Sequence, residues 1–358
     1  MPVAQPVRIT IDLGALAANY AQLRHRAVGA EVAAVVKANA YGLGIGPVAA
    51  RLAEVGCRSF FVGTVTEGLE LRQLQAAAQI FVLNEMPAGS AALYLQQQLL
   101  PVLNTMDEVR TWATQGAGAP AALQIDTGMT RAGLSAADVA GLCEDGRLCQ
   151  ALKLVLIMSH LACADEPDHA LNLQQLERFR TLRRHWPGVP WSIANSAGIF
   201  LGPDFHGDLV RPGIALYGGR PGASGDNPMR EVVRLESRVL QVRQLTQRSS
   251  VGYGATRALA PNARIATVGI GYADGYPRAL SGCGCALWQG ARAAVAGRVS
   301  MDLLTLDVSA TGFEQLATGD WVTLIGGGLP LEEVAATAGT VNYELLTSLS
   351  RRADRIYR

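Results

Sequence analysis

The sequence predicts a (β/α)8 barrel of the TIM type followed by a mainly antiparallel β domain, and three observations carry that reading. Between residue 32 and about residue 217, eight short apolar, β-rich runs alternate with helix-like stretches. The runs end on polar residues, as the catalytic face of such a barrel requires. After residue 232 the alternation gives way to short strands joined by Gly, Pro, Asn and Asp turns. The barrel is thus expected over 8–232 and the β domain over 233–358, with an early strand within 1–12 able to pair with the second domain.

In chain order the barrel runs are VAAVVKA, SFFVGT, IFVLN, LPVLN, ALQIDTG, LKLVLIMSH, WSIAN and LVRPGIALYG. Near-continuous apolar runs suit parallel strands buried on both faces. Segments such as VTEGLELRQLQAAA and HALNLQQLERFRTLRRH lie between them, with apolar residues recurring at three and four as on a helix. The second domain reads as VVRLESRVLQVRQL, ARIATVGIGYA, CALWQG, ARAAVAGRV, LLTLDV and DWVTLIGGG, with helical character returning near LEEVAATAG. No internal repeat interrupts this order.

Composition narrows the function classes. The chain has 358 residues, enough for about two domains. Its 31 basic residues balance 30 acidic ones, which argues against nucleic acid or an anionic membrane as partner. No apolar run reaches the roughly 18 residues of a membrane helix, and MPVAQPVRITIDL lacks the layout of a signal peptide. Six scattered cysteines form no CxxC pair and read as reduced thiols of a cytoplasmic protein. Cys283 and Cys285 stand close, but a second ligand pair is missing and no metal site is expected.

On a barrel, the strand ends supply Lys37, Thr64, Asn84, Asn104, Asp126, His160, Asn195 with Ser196, and Arg211 with Tyr217. Lys37 is the sharpest of these. A lysine drawn out of water loses basicity and can attack an aldehyde to form a Schiff base. Equally, a strand-end lysine can pack its stem and keep its head in water. The far side of the barrel bears on that choice. Gly213 and Ile214 follow the eighth strand, where barrels commonly bind phosphate on exposed backbone amides. A reactive lysine after strand one and a phosphate cradle after strands seven and eight together suit pyridoxal phosphate.

The strings VVKANAYG, IDTGMTRAG, MSHLACADE, ANSAG, VRPGIALYG, VGYGA, IGYADGYPR, GRVSMD and NYELL occur in that order along nearly the whole chain. In this the sequence resembles alanine racemase, a fold-type III pyridoxal-phosphate enzyme and an isomerase. The resemblance implies that Lys37 holds the cofactor and also handles the Cα proton on the D-alanine face. Tyr253 matches the base of the opposite face, acting in the partner subunit's site. A free tyrosine titrates near 10, so such a base needs a cation close by. Arg211 matches the residue facing the pyridine nitrogen; always charged, it leaves that nitrogen unprotonated. His160 matches a partner of this arginine.

By the same resemblance, Arg131 approaches the cofactor's phenolic oxygen and the substrate carboxylate, and the main-chain N–H of Met301 binds that carboxylate from the partner. Tyr41, Ser196, Gly213, Ile214 and Tyr343 match phosphate contacts, with Asn195 beside them. Asp165, Tyr272, Arg278, Arg298 and Asp302 match a narrow approach channel that restricts substrates to small amino acids. Because Tyr253 and Met301 serve a neighbour's barrel, a homodimer is implied. Broader-specificity racemisation, basic amino acid decarboxylation and cofactor binding without catalysis are the competing readings. Arg211 argues against decarboxylation, which benefits from a protonated ring nitrogen. The complete β domain argues against mere binding.

Two positions leave the family pattern. The family usually has histidine where this chain has Leu43, which is expected to repack the contacts around Tyr41. Gln124 stands where many members carry a lysine, often carbamylated, that orients the arginine of the DTGM segment. Gln124 can accept a hydrogen bond from Arg131 through its carbonyl, with less electrostatic restraint than a carbamate, so the fold is expected to survive and Arg131 to be held differently, by a bound anion or a water.

Overall fold

The computed structural model describes residues 5–84 and 86–358; the expected N-terminal strand falls in part on residues 1–4, which lie outside the described residues. Seven positions of a parallel sheet run in order through Ala34–Val35, Ser59–Val62, Gln79–Val82, Leu100–Leu103, Pro120–Gln124, Lys153–Met158 and Trp191–Ser192. An eighth strand, Leu209–Val210, closes the ring. It registers with Glu31–Val32, Asn195 bridges to Arg211, and the N–H groups of Ala33 and Val35 donate to the carbonyls of Val210 and Pro212. The first strand is therefore split at Ala33, its start bonded to strand eight and its end to strand two. Each expected run maps onto one barrel strand.

The barrel strands are buried on both faces. Val36, Phe60, Phe61, Ile80, Val82 and Leu103 have essentially no exposed surface, and Phe61 stacks on Phe81 at 4.6 Å. Each such side chain removed from water contributes about 1.5–3 kcal/mol, which is why apolar runs without alternation fold as these strands. Threonine caps start two of the outer helices. Thr64 accepts from the N–H of Glu67 at the start of Val65–Leu74, and Thr105 accepts from that of Glu108 at the start of Met106–Gln115.

The second domain is built on the long strand Val233–Gln244. Its N-terminal half pairs with Trp321–Ile325, and a register shift between Val239 and Gln241 lets its C-terminal half pair with Arg264–Val268. The ring then continues through Leu304–Asp307, Ala291–Val295 and Cys285–Trp288 back to Trp321–Ile325, all antiparallel. Val7–Ile11 adds to the outside of Val233–Gln244, and Asp354–Tyr357 lies parallel beside it. A separate hairpin, Ser249–Val251 with Arg257–Leu259, carries Tyr253 in its turn. No helix among the described residues is long and apolar enough to cross a membrane.

Candidate active site

Lys37 leaves the first barrel strand into a left-handed turn. Ala38, Asn39, Ala40 and Tyr41 have φ of 53°, 56°, 52° and 54°, a conformation that costs about 1–2 kcal/mol per L-residue. Several bonds hold it. The N–H of Gly42 donates to the Ala38 carbonyl at 2.8 Å, and Asn39 accepts from the N–H of Ile45 through Oδ1 at 2.8 Å. Glu67 accepts from the N–H of Ala38 at 2.6 Å. From the C-terminal strand, Arg355 donates to the Gly42 carbonyl at 2.8 Å and Tyr357 to the Leu43 carbonyl at 2.9 Å.

Lys37 faces a cavity of about 850 Å³ that also gathers Tyr41, Arg131, His160, Asn195, Ser196, Arg211, Gly213, Ile214 and Tyr343. Burial lowers the pKa of Lys37 and nearby Arg131 lowers it further, while Glu67 pulls it back up. Arg211 is fully enclosed, 3% exposed. It donates to the Ser192 hydroxyl, to the Ser159 carbonyl at 2.5 Å, and to His160 Nδ1 at 3.4 Å. Burial pulls its pKa down to about 9, which still leaves it charged at neutral pH. Burial first, and the Arg211 charge second, push His160 down to about 3, so its ring is a neutral acceptor.

Across the cavity, Ser196 Oγ accepts from the N–H groups of Gly213 at 2.9 Å and Ala215 at 3.3 Å. The N–H of Ile214, between them, makes no hydrogen bond among the described residues. A Cβ built on Gly213 would overlap the Tyr41 hydroxyl, so only glycine lets that phenol approach the amides. Tyr41 lies 4.8 Å from Tyr217 and 6.0 Å from Tyr343, ring to ring. Tyr217, grouped with the strand ends by sequence, instead donates to the Val35 carbonyl from the core. Asn195 accepts from the N–H of Gly198 and braces the next turn.

The remaining expected residues lie elsewhere on the chain. Tyr253, Tyr272, Arg278 and Arg298 line a separate pocket of about 310 Å³ in the β domain. Tyr253 is 72% exposed and Met301 54%. Asp165 lines a third cavity of about 420 Å³ that shares Asn195 and Tyr343 with the Lys37 cavity. Asp302 is held by Arg352 at 2.8 Å, and Arg352 also pairs with Asp274 at 3.2 Å.

Both unusual positions have structural outcomes. Leu43 is fully buried in the core, its carbonyl tied to Tyr357. Gln124 does not hold Arg131, although its carbonyl could have accepted from it. Its Nε2 donates to the Ala132 carbonyl at 3.1 Å, because the chain returns past it through Gly133 and Leu134. Arg131 itself makes no hydrogen bond among the described residues. Glu67 was missed from the sequence, although the Thr64-x-x-Glu67 spacing of a capping box was there to be read.

Comparison with known proteins agrees with this geometry. Residues 11–221 match the family model described as alanine racemase, N-terminal domain, and residues 232–357 match alanine racemase, C-terminal domain. The chain is 47% identical over 354 residues to a protein of Agrobacterium fabrum named alanine racemase, catabolic, covering 98% of this chain and 91% of that one. It is 47% identical over 355 residues to alanine racemase of Rhodospirillum rubrum, covering 98% and 95%. A crystal structure of alanine racemase from Bartonella henselae with covalently bound pyridoxal phosphate superposes with a TM-score of 0.95 at 38% identity, covering 100% of both chains. The biosynthetic alanine racemase of Pseudomonas aeruginosa superposes at 0.91 with 37% identity, covering 99% of each. With both family domains matched in order over nearly its full length, the chain belongs to the alanine racemase family.

Proposed function

We propose that the chain interconverts L- and D-alanine with pyridoxal phosphate, by two groups that exchange a proton on opposite faces of Cα. The observation that carries this reading is one cavity holding a desolvated Lys37, an enclosed Arg211 cation, and the free Ile214 N–H beside Ser196 and Gly213. Those groups fit the cofactor. Lys37 is the amine for its aldehyde, and Ser196, Gly213, Ile214, Tyr41 and Tyr343 would hold its phosphate. Arg211 would face its ring nitrogen. When bound, the cofactor supplies an electron sink for the charge developing at Cα.

The chain's own residues do the rest. Lys37, kept less basic than a free lysine by burial, takes or returns the proton on one face. Neutral His160 fixes the Arg211 guanidinium, a cation that would leave the ring nitrogen unprotonated. The electron sink would then be weaker, which would favour racemisation over transamination. Arg131, with no hydrogen bond among the described residues, is available for the substrate carboxylate. So is the N–H of Met301, which makes no hydrogen bond among the described residues.

Tyr253 is the second base, and the exposure of Tyr253 and Met301 in a separate part of the chain supports a homodimer. In it, Tyr253 of the partner subunit enters the Lys37 cavity, with Arg278 and Arg298 as cations near the phenol. Tyr272, Arg278, Arg298, Asp165 and Asp302 then line the approach. Six unpaired cysteines suit a cytoplasmic setting.

Tyr253→Phe tests this against mere cofactor binding. A racemase loses most alanine turnover while keeping its cofactor spectrum; a binding protein shows no turnover to lose. Assaying the other small amino acids beside alanine distinguishes the broader-specificity reading.

A further inference from the structure

We propose that Glu67 is a positioning residue for Lys37: its carboxylate ties the backbone that aims the lysine to the neighbouring barrel loop and faces the amine with a negative charge. The proposal rests on Lys37 being the group that captures the cofactor. One oxygen of Glu67, Oε1, accepts from the N–H of Ala38 at 2.6 Å, the residue directly after Lys37. The other, Oε2, accepts from the N–H of Gly63 at 2.7 Å and of Thr64 at 3.3 Å. An ordinary capping-box glutamate needs only its own N-cap N–H. Glu67 does more, since it joins the loop after barrel strand one to the loop after strand two.

The surroundings show why an acid is needed there. Ala38 opens four successive non-glycine residues with positive φ, so its N–H starts a strained turn directly after Lys37. Gly63 sits between the two groups: a Cβ built on it lies 3.2 Å from Glu67 Oε2 and 3.6 Å from Lys37 Cβ. Charged and titratable groups surround the amine from several elements. Glu67 comes from the second barrel loop, Arg131 from the fifth, His160 from the sixth and Arg211 from the eighth, with Tyr41 on the lysine's own turn and Tyr343 and Glu344 on the helix Asn342–Thr347. Glu67 is the anion that acts on Lys37. It offsets the depression that burial and Arg131 impose on Lys37.

The chain contains its own control. Glu108 makes the same arrangement one strand pair further round. It accepts from Asn104 at 2.6 Å and Thr105 at 3.2 Å on Oε2, and from Met86 at 3.1 Å on Oε1. Its helix begins after Thr105 just as that of Glu67 begins after Thr64. Glu108 thus shares the capping role and lacks the lysine.

The test compares wild type, Glu67→Gln and Glu108→Gln as full-length proteins. Each is stripped of cofactor, and the rate of pyridoxal phosphate capture is followed by absorbance across pH, alongside the melting temperature. Both variants are expected to lose similar thermal stability. Only Glu67→Gln should lower the plateau capture rate, by about tenfold or more. It should also move the pH midpoint of capture down by about 0.5 unit or more, because removing an anion favours the neutral amine. Its alanine kcat should fall by a similar factor with KM within about twofold. If Glu67→Gln folds poorly, Glu67→Asp keeps the charge and shortens the reach, and is expected to slow capture without moving the midpoint.

Equal capture profiles for Glu67→Gln and Glu108→Gln would reduce Glu67 to a helix cap and overturn the proposal. Borohydride reduction followed by peptide mass analysis separates the other failure. Cofactor trapped at a residue other than Lys37 overturns the reading of the site itself, and this inference with it.

Discussion

The guanidinium of Arg211 donates to Nδ1 of His160 at 3.4 Å, and burial keeps that imidazole neutral. A ring that accepts at Nδ1 carries its proton on Nε2. The imidazole titrates near 6.5 when free and near 3 in the fold. Protons therefore bind the unfolded chain more readily, and stability is lost as pH falls from about 6.5 towards 3. His160→Gln should flatten that limb by up to about 1.4 kcal/mol per pH unit. Denaturant midpoints between pH 4 and 7 measure it; an unchanged slope would show that His160 is not buried as a neutral ring.

Gly213 is where backbone and phenol meet most closely. A methyl group there would overlap the Tyr41 hydroxyl and displace it from the amides of 213 and 214. Gly213→Ala is expected to weaken cofactor binding tenfold or more, about 1.4 kcal/mol, while the fold persists. A dissociation constant for pyridoxal phosphate equal to that of wild type would count against the proposed phosphate cradle.

Leu43 contributes through packing. It has no exposed surface, and its polar contacts are made by its backbone, the N–H donating to the Ala40 carbonyl and the carbonyl accepting from Tyr357. Leu43→Ala should cost about 2–5 kcal/mol of stability, with cofactor affinity changed much less than by Gly213→Ala. The reverse ranking, measured by chemical denaturation and cofactor titration, would make Leu43 a cofactor contact instead.

Arg352 joins two turns of the half-site proposed to serve the partner. It pairs with Asp274, whose side chain is 3% exposed, and with Asp302, next to Met301. The turn at Tyr272–Asp274 rests on the same segment, since Tyr272 and Ala273 donate to the carbonyls of Ser300 and Met301 at 3.1 and 3.0 Å. Arg352 is half exposed, so Arg352→Ala should cost little stability. It should raise the KM for alanine several-fold with cofactor affinity unchanged. A fall in cofactor affinity with KM constant would place its influence elsewhere.

Much of this molecule was legible in its sequence. Runs such as SFFVGT and IFVLN are apolar on both faces, which parallel barrel strands require and few other structures tolerate. Lys37, His160 and Arg211 were visible because polar residues ended such runs. What escaped depended on contacts distant along the chain. Gln124 could have served Arg131, yet the returning segment at Ala132 takes its amide first. Tyr217 ends the last run but faces Val35 within the core. The strand Asp354–Tyr357, which grips the lysine turn through Arg355 and Tyr357, is too short and polar to announce itself.

The central claim is that one active site takes Lys37 from one chain and Tyr253 from another. Co-expressing differently tagged Lys37→Ala and Tyr253→Phe chains, and purifying through both tags, isolates the mixed dimer. Such a dimer holds one site with both groups intact and one with neither. It should recover about half of wild-type alanine racemisation, although each variant alone is nearly inactive. A mixed dimer as inactive as its parents would contradict the shared site and place both bases within a single chain.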